Sequence, residues 1–190
     1  NALAGDSVWL VKQGPYVSNI RSTLELVGFT VDVKDDAAAD FSFWKNNLKN
    51  YSIIIMLGHG VVGQSGNIGF MTGIQADNGT IPSDIEDDLN NKRIAKLSVG
   101  YGLFNLKKDF WIISNTFITN YYGANSFSSD TIIYSGACLN GYNERMANAY
   151  LNAGAGVFLG FNISQSYGLK FADRILADML DKDTVSTAYG

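Results

Sequence analysis

Two side chains with covalent and proton-transfer chemistry stand out because each is the only one of its type: Cys138 and His59. A cysteine thiolate is a strong nucleophile, and an imidazole titrates near neutral pH and can move a proton. Together these groups can attack a carbonyl carbon and protonate the group that leaves. They lie 79 positions apart in the chain. A reaction that uses both needs the fold to bring two distant segments together.

Each of the two residues follows an apolar run that is typical of a buried β-strand. Residues 52–57 form such a run before His59, and residues 131–137 form another before Cys138. A predicted helix begins shortly after the cysteine, at Asn143, and the N-terminal amides of a helix favour a thiolate. Parallel strands end at one edge of a sheet, where open α/β sheets bind their ligands. We therefore expect Cys138 and His59 to project from the same edge.

Strand-like and helix-like patterns alternate along the rest of the chain. Strands are predicted at residues 7–12, 29–33, 52–57, 95–99, 109–113, 131–137 and 157–161. Helices are predicted at residues 17–27, 41–48, 82–89, 117–121, 143–153 and 167–179. The helix at residues 82–89 is expected to have Ser83 as its N-cap and a solvated acidic face. Glycines at residues 63–69 and the Asn-Gly turn at residues 77–80 predict a small β-hairpin.

This order of elements predicts a single α/β domain over residues 1–190. The expected architecture is a three-layer α/β/α sandwich built on a mostly parallel sheet, with the small hairpin as an insertion. The strand at residues 52–57 is expected at the centre of the sheet, because a continuous apolar run suits a strand covered on both faces. Residues 184–190 lack a terminating element, which predicts that the chain is cut or processed there.

Charge and composition exclude several kinds of partner. The formal net charge is −4, from 14 basic and 18 acidic side chains, so the basic stripe that binds nucleic acid is missing. No apolar segment is long enough to span a membrane. A hairpin accounts for the acidic turn at residues 77–79, so neither a metal nor another cofactor is expected.

The low charged content, 17%, favours an exported bacterial protein, secreted or at the cell surface, and leaves a cytoplasmic location open.

The order of the two motifs resembles that of one peptidase group. An apolar strand before His59-Gly60, and downstream an apolar strand before Ala137-Cys138, resembles the caspase-like cysteine peptidases, which include caspases, gingipains, legumains and clostripain. The resemblance implies that Cys138 is the nucleophile and that His59 assists proton transfer and protonates the departing amine. It also implies that the backbone N–H groups of Gly60 and Cys138 stabilise the oxyanion. The implied partner is a peptide or protein substrate.

The same order disfavours other cysteine enzymes. Cysteine-containing α/β hydrolases, glutamine amidotransferases and papain-like peptidases place their histidine after the cysteine, and no histidine follows Cys138. The separation of 79 residues exceeds the roughly 50 residues of the caspase signature. An insertion at residues 94–125 would account for the difference.

Substrate preference does not carry over from the resemblance. Clostripain-like members have an acid two residues before the cysteine, where this chain has Gly136. Caspases have an arginine directly after the cysteine, where this chain has Leu139. By their position after the strand at residues 157–161, Asn162 and Ser164 are expected to line the substrate pocket, together with Gly136.

Two other functions stay open for the same residues. A lone cysteine is usually a small core residue and a lone histidine a structural one, so a catalytically silent caspase-like module for binding or regulation is one alternative. An acyl-transferring transpeptidase that uses the same dyad of Cys138 and His59 is the other. Thiol reactivity separates the silent module from an enzyme, and product analysis with an added amine separates transfer from hydrolysis. The oligomeric state is also open.

Overall fold

The computed structural model describes residues 2–4, 7–34, 38–63, 65–76, 81, 83–101, 106–164 and 168–180. Its strands are β1 Ala2–Ala4, β2 Val31–Val33, β3 Ile53–Met56, β4 Gly60–Val62, β5 Ile68–Gln75, β6 Ile94–Tyr101, β7 Leu106–Ser114, β8 Ile132–Ser135 and β9 Val157–Gly160. Its α-helices are α1 Ser7–Leu26, α2 Phe41–Asn46, α3 Glu86–Asn90, α4 Asn115–Tyr121, α5 Glu144–Asn152 and α6 Gly168–Leu180. Within these ranges, no helix combines the length and apolar character needed to cross a membrane. The protein is a mixed α/β protein.

A parallel sheet contains the two strands that lead to His59 and Cys138. β3 pairs with β8, and β8 pairs with β9, all in the same direction. β1 and β2 form another parallel pair, and β1 runs beside β3. The predicted strands before the histidine, before the cysteine and at residues 157–161 are thereby confirmed. In the hydrogen-bonded sheet of three strands β8 is in the middle, and the contact of β1 with β3 places β3, the strand before His59, between β1 and β8.

A four-stranded antiparallel sheet, in the order β4-β5-β7-β6, lies between β3 and β8 along the chain. β4 begins at Gly60 and forms a hairpin with β5. The turn at residues 77–80, which was part of the predicted hairpin, lies outside the described residues. The predicted strands at residues 95–99 and 109–113 are confirmed as β6 and β7 and belong to this sheet.

The antiparallel sheet corrects the prediction of a mostly parallel sheet with a small insertion. Among the strands that the structure describes, three pairings are parallel and three are antiparallel. Only the sheet of β3, β8 and β9 and the pair of β1 and β2 follow the predicted direction. Alternation of apolar residues identifies a strand but not its partner, because pairing depends on contacts that are distant in sequence.

Two apolar clusters pack on opposite faces of β3, because successive side chains of a strand point to opposite sides. Ile53, Ile55 and Leu57 join the cluster formed with α1 and α6. Ile54 and Met56 join the larger cluster, which includes side chains of α2, α4 and α5. All five side chains are buried, and burial of one such side chain contributes about 1.5–3 kcal/mol. Helices therefore hold the strand before His59 from both sides.

The N-terminal strand predicted at residues 7–12 is wrong. These residues form the first part of α1, and the strand that pairs with β2 is β1. A short apolar run has the same character in a strand and in a buried helix, so periodicity alone does not separate the two. The predicted helix at residues 17–27 is the second part of α1. Gly28, with a φ of 94°, follows the end of this helix, where a left-handed conformation suits glycine.

α3 differs from its predicted form in both its cap and its acidic face. The helix begins after Ile85, which makes no side-chain capping bond, so the predicted cap at Ser83 is wrong. Asp88 is fully buried rather than solvated. Two basic side chains and a tyrosine hydroxyl surround its carboxylate. Helical spacing shows which residues share a face, but it does not show which face the rest of the chain covers.

Candidate active site

His59 and Cys138 occupy equivalent positions after neighbouring strands. Met56, the last residue of β3, stands opposite Ser135, the last residue of β8. His59 and Cys138 each come three residues after these paired strand ends. Because parallel strands run in one direction, both residues leave the sheet at its carboxyl edge. The structure thus places both candidate groups at the edge where the sequence predicts them.

The backbone of Gly60 touches the peptide of Cys138. A Cβ atom at Gly60 would lie 1.7 Å from the carbonyl oxygen of Cys138 and 2.6 Å from Nδ2 of Asn140. Both distances are far shorter than van der Waals contact, so this arrangement accepts only glycine at position 60. The histidine–glycine dipeptide is therefore packed directly against the cysteine loop, which we define as residues 136–141.

The N–H group of Gly60 points away from the partner strand of its hairpin. Met71 donates its N–H to the carbonyl of His59 at 2.9 Å, and Gly60 stands opposite Phe70. Antiparallel strands alternate between hydrogen-bonded and non-hydrogen-bonded pairs, so Gly60 and Phe70 form a non-hydrogen-bonded pair. β5 therefore does not take up the N–H of Gly60. A backbone donor that lies against the Cys138 peptide is thus directed away from β5.

Asn140 fastens the cysteine loop to both sheets. Its side chain is fully buried, and its Oδ1 accepts a hydrogen bond from Oγ of Ser135 at 2.8 Å. Its Nδ2 donates to the carbonyl of Gly69 in β5 at 3.1 Å. The preceding residue, Leu139, has a φ of 60°, which is uncommon for a residue with a side chain. The loop therefore holds a costly backbone conformation directly after Cys138.

The segment after β9 runs beside the cysteine loop. Gly141 donates its N–H to the carbonyl of Phe161 at 2.7 Å, and Leu139 donates to the carbonyl of Ile163 at 3.3 Å. Asn162 and Ser164 belong to this segment and are exposed. The two residues that the sequence predicts in a substrate pocket therefore lie on an accessible segment that is bonded to the cysteine loop.

Gly136, the third residue predicted to line the pocket, is buried. Its N–H donates to the carbonyl of Met56 at 2.8 Å, which extends the pairing of β8 with β3 by one residue. This bond fixes the start of the cysteine loop, two residues before Cys138. Because glycine has no side chain, its contribution to a pocket is limited to the backbone.

Two side chains at the start of α5 hold the turn that follows β4. Arg145 donates from Nη1 to the carbonyl of Ser65 at 2.7 Å and to Oδ1 of Asn67 at 3.0 Å. Asn143 donates from Nδ2 to the carbonyl of Gly66 at 3.0 Å. Asn143 also caps α5, because its Oδ1 accepts the N–H of Arg145 at 3.0 Å. The segment after the histidine is thus tied to the helix after the cysteine.

The two candidate reactive side chains are half-buried. Burial lowers the pKa of His59 below its ordinary value of 6.5, because removal of water disfavours the charged ring. The imidazole is therefore neutral at neutral pH and able to accept a proton. Cys138 is not part of a disulfide, because the chain has no second cysteine with which it could form one. Over the residues that the structure describes, no group of acidic, histidine or cysteine side chains is arranged to hold a metal ion.

The sequence alone did not predict the polar residues that hold this site together, Asn140, Asn143 and Arg145. Asn140 precedes a glycine, and an Asn-Gly pair is an ordinary turn signal that predicts exposure rather than burial. Asn143 and Arg145 indicate only the start of a helix. The one available signal is their position, a few residues after the candidate nucleophile.

Comparison of the chain with models of protein families, with curated proteins and with solved structures finds no match. No relative therefore assigns a role to Cys138 or His59. The chemistry of these residues follows from the geometry of the loops that carry them.

Proposed function

We propose that this chain is a cysteine peptidase domain of the caspase-like kind, with Cys138 as nucleophile and His59 as the proton-transfer group. The observation that carries the proposal is the packing of Gly60 against the Cys138 peptide, at the carboxyl edge of two neighbouring parallel strands. In one dipeptide, the histidine ring can move a proton and the glycine backbone can donate to an oxyanion. This combination suits the cleavage of an amide bond.

The strand arrangement supports a three-layer, caspase-like domain. With the contact between β1 and β3 included, the parallel strands follow one another in space as β2-β1-β3-β8-β9. The apolar clusters on both faces of β3 supply the two helical layers. The antiparallel strands β4 to β7 lie between His59 and Cys138 and account for the long separation of these residues. Residues 1–190 then form one peptidase domain with an antiparallel insertion.

The proposed reaction starts from a neutral His59 and the Cys138 thiol. The imidazole accepts the thiol proton as Sγ bonds to the carbonyl carbon of the substrate, and the carbonyl electron pair moves to its oxygen. The oxyanion then collapses, the C–N bond breaks, and the imidazolium gives its proton to the departing amine. Water, deprotonated by the imidazole, hydrolyses the thioester and restores the thiol. The lowered pKa of His59 suits the first step, because the ring must be unprotonated.

The oxyanion in this proposal accepts hydrogen bonds from the N–H groups of Gly60 and Cys138. Gly60 suits the role because its N–H does not donate to β5 and can therefore donate to the oxyanion. Loss of one such donor typically lowers kcat by about 10²–10³-fold. Since the two donors lie on different loops, their separation depends on the contact between Gly60 and the cysteine loop.

The substrate in this proposal is a peptide or protein that lies along the segment after β9. Asn162 and Ser164 are exposed there and offer hydrogen bonds to the residue before the scissile bond. Ile163, between them, is 63% exposed and offers apolar contact. Gly136 contributes only its backbone. Uncharged side chains next to the scissile bond fit these groups.

The test is covalent labelling with peptidyl acyloxymethyl ketones that carry Arg, Lys, Asp, Asn or Ala next to the reactive group, read by intact mass. Iodoacetamide serves as a probe of the bare thiol. Cys138→Ala removes the nucleophile, and His59→Ala removes the proton acceptor. We expect labelling at one site, a preference among the five probes, and loss of labelling in both variants.

One outcome would overturn the proposal and favour a silent binding module. In that outcome iodoacetamide alkylates Cys138, no peptidyl probe reacts, and His59→Ala changes nothing. Incubation of a cleaved peptide with an added amine then separates hydrolysis from acyl transfer. A new amide product would assign the same dyad to a transpeptidase.

A further inference from the structure

Asn140 lies where three parts of the candidate site meet. Its amide oxygen accepts from Oγ of Ser135 at the end of β8, and its amide nitrogen donates to the carbonyl of Gly69 in β5. The same nitrogen would be 2.6 Å from a Cβ atom at Gly60, so it also lies against the strand that follows the histidine. The side chain is fully buried. One planar amide thus connects the parallel sheet, the antiparallel sheet and the cysteine loop.

We propose that Asn140 is a positioning residue that sets the geometry of the oxyanion site. This inference rests on the proposed peptidase function. The two N–H donors of that site belong to Gly60 and Cys138, which are distant in sequence and lie on separate loops. Asn140 joins these loops two residues after the nucleophile, so it fixes how far apart the donors are.

The strained backbone of Leu139 explains why the loop needs such a brace. A left-handed conformation of a residue with a side chain persists only when its surroundings hold it in place. Leu139 adopts it, with a φ of 60°, between Cys138 and Asn140. The two hydrogen bonds of Asn140 hold one end of this strained residue. Without them, Leu139 is expected to relax and to turn the Cys138 N–H away from the oxyanion.

An amide is the side chain that the two partners require. The Ser135 hydroxyl needs an acceptor and the Gly69 carbonyl needs a donor, and asparagine supplies both within one rigid plane. Aspartate has the same size but no donor for the Gly69 carbonyl. Alanine has neither group and leaves both partners unsatisfied in a buried place.

The test compares two reagents that attack the same sulfur. A peptide aldehyde, with the side chain chosen by the labelling panel, forms a tetrahedral adduct with Cys138 whose oxygen occupies the oxyanion site. Iodoacetamide alkylates the thiol by displacement of iodide and needs no oxyanion site. For Asn140→Asp we expect the affinity for the aldehyde to fall about 10–100-fold, the range below full loss of a donor. The alkylation rate, taken at its plateau at alkaline pH where the thiol is fully ionised in both proteins, is expected to stay within about twofold of wild type, because any effect of the new carboxylate on thiol ionisation is then absent.

Two further variants make the result specific to the site. Ser135→Ala removes one of the two bonds of Asn140 and is expected to cause a smaller loss of aldehyde affinity in the same direction. Thr72→Ala is a matched control, because the buried Thr72 hydroxyl bonds to the carbonyl of Trp111 at 2.9 Å within the antiparallel sheet. It should lower the melting temperature without changing aldehyde affinity.

The outcomes distinguish this inference from the peptidase proposal. If wild type binds the aldehyde and Asn140→Asp binds it equally well, Asn140 is not a positioning residue and the peptidase proposal stands. If Asn140→Asp lowers both aldehyde affinity and alkylation rate to the same extent, its role is only structural. If wild type binds no peptide aldehyde, the peptidase proposal itself fails. Should Asn140→Asp not fold, the comparison of Ser135→Ala with Thr72→Ala decides the inference.

Discussion

The carbonyl oxygen of Cys138 occupies the space that a side chain at Gly60 would need. A Cβ atom at position 60 would lie 1.7 Å from that oxygen, so the two residues are in direct backbone contact. This contact joins the end of the loop after β3 to the loop after β8. It places the backbone of Gly60 against the Cys138 peptide across a long separation in sequence, and the proposed chemistry depends on it.

Gly60→Ala is expected to slow catalysis strongly. The added methyl group forces β4 away from the cysteine loop, and a displacement of about 1 Å at a reactive site costs on the order of 100-fold in rate. Overpacking is also expected to lower the free energy of unfolding by about 1–3 kcal/mol. Peptide cleavage and urea unfolding measure the two effects. Gly123→Ala is the control, because a Cβ atom there would meet nothing within 4 Å. An active Gly60→Ala variant would contradict the proposed geometry.

The pH dependence of peptide cleavage is expected to follow the imidazole of His59. Burial lowers its pKa below 6.5, so the ring stays neutral until the pH falls under that value. We expect the acid limb of kcat/KM, measured on a peptide selected by the labelling panel, to have its midpoint below pH 6.5. An acid limb centred above pH 7 would show that a different group, or a charged imidazole, controls the rate.

The same burial predicts how His59 affects stability. In the unfolded chain the imidazole takes up a proton near its ordinary pKa of 6.5, whereas the folded protein resists protonation. The contribution of His59 is therefore present above pH 6.5 and is lost as the pH falls through the lower pKa of the folded state. Urea unfolding of wild type and His59→Gln between pH 7.5 and 5 measures it. The variant should lose less stability than wild type over this range, and equal losses would contradict the assigned burial.

Asp88 is expected to be the most sensitive charged residue for stability. Its buried carboxylate accepts from Lys45 Nζ at 2.9 Å, Arg93 Nε at 2.6 Å and the Tyr121 hydroxyl at 2.7 Å. Removal of one partner of a buried ion pair costs about 3–5 kcal/mol, because the remaining charges lose their compensation. We expect a loss in this range for Asp88→Ala in urea unfolding. Asp87→Ala, at an exposed acid beside it that also pairs with Arg93, should cost less than about 1 kcal/mol.

The pH dependence of the Asp88 effect has a definite sign. Burial alone would raise the pKa of this carboxyl, but hydrogen bonds from Tyr121, Lys45 and Arg93 outweigh burial and hold the pKa below its ordinary value of 3.8. The stabilisation is therefore present above pH 3.8 and is lost as the pH falls below it. The difference between wild type and Asp88→Ala should shrink in that acid range. A difference that grows on acidification would contradict the assigned pairing.

Arg145→Met is expected to loosen the turn after β4. The variant keeps an unbranched side chain but removes the bonds to the Ser65 carbonyl and to Asn67. Each hydrogen bond contributes about 0.5–1.5 kcal/mol, so loss of both should accelerate amide exchange of Gly66, measured by NMR, by about 5–150-fold. Arg174→Met is the control, since Arg174 is exposed and pairs with Asp178 one turn away in the same helix. Unchanged protection of Gly66 would show that the turn does not depend on α5.

The sequence alone determined the parts of the fold that depend on neighbouring residues. Apolar runs identified the strands before His59 and Cys138, because a buried strand needs continuous apolar side chains whatever its partners are. Asn143 marked the start of α5 for a similarly local reason, since it caps the helix with its own side chain. The shared edge of the two strands followed from the parallel direction that alternating strands and helices impose.

Only the tertiary structure decided which surfaces meet. Residues 7–12 are helical, although their apolar run also suits a strand. Asp88 is buried, although an acidic run is usually exposed to solvent. The strands between His59 and Cys138 pair in an antiparallel sheet, which their sequence pattern did not predict. Asn140 holds the cysteine loop through hydrogen bonds with Ser135, five residues before it, and with Gly69, 71 residues before it. The burial of a side chain and the pairing of a strand depend on contacts between distant segments. Composition and local spacing do not predict those contacts.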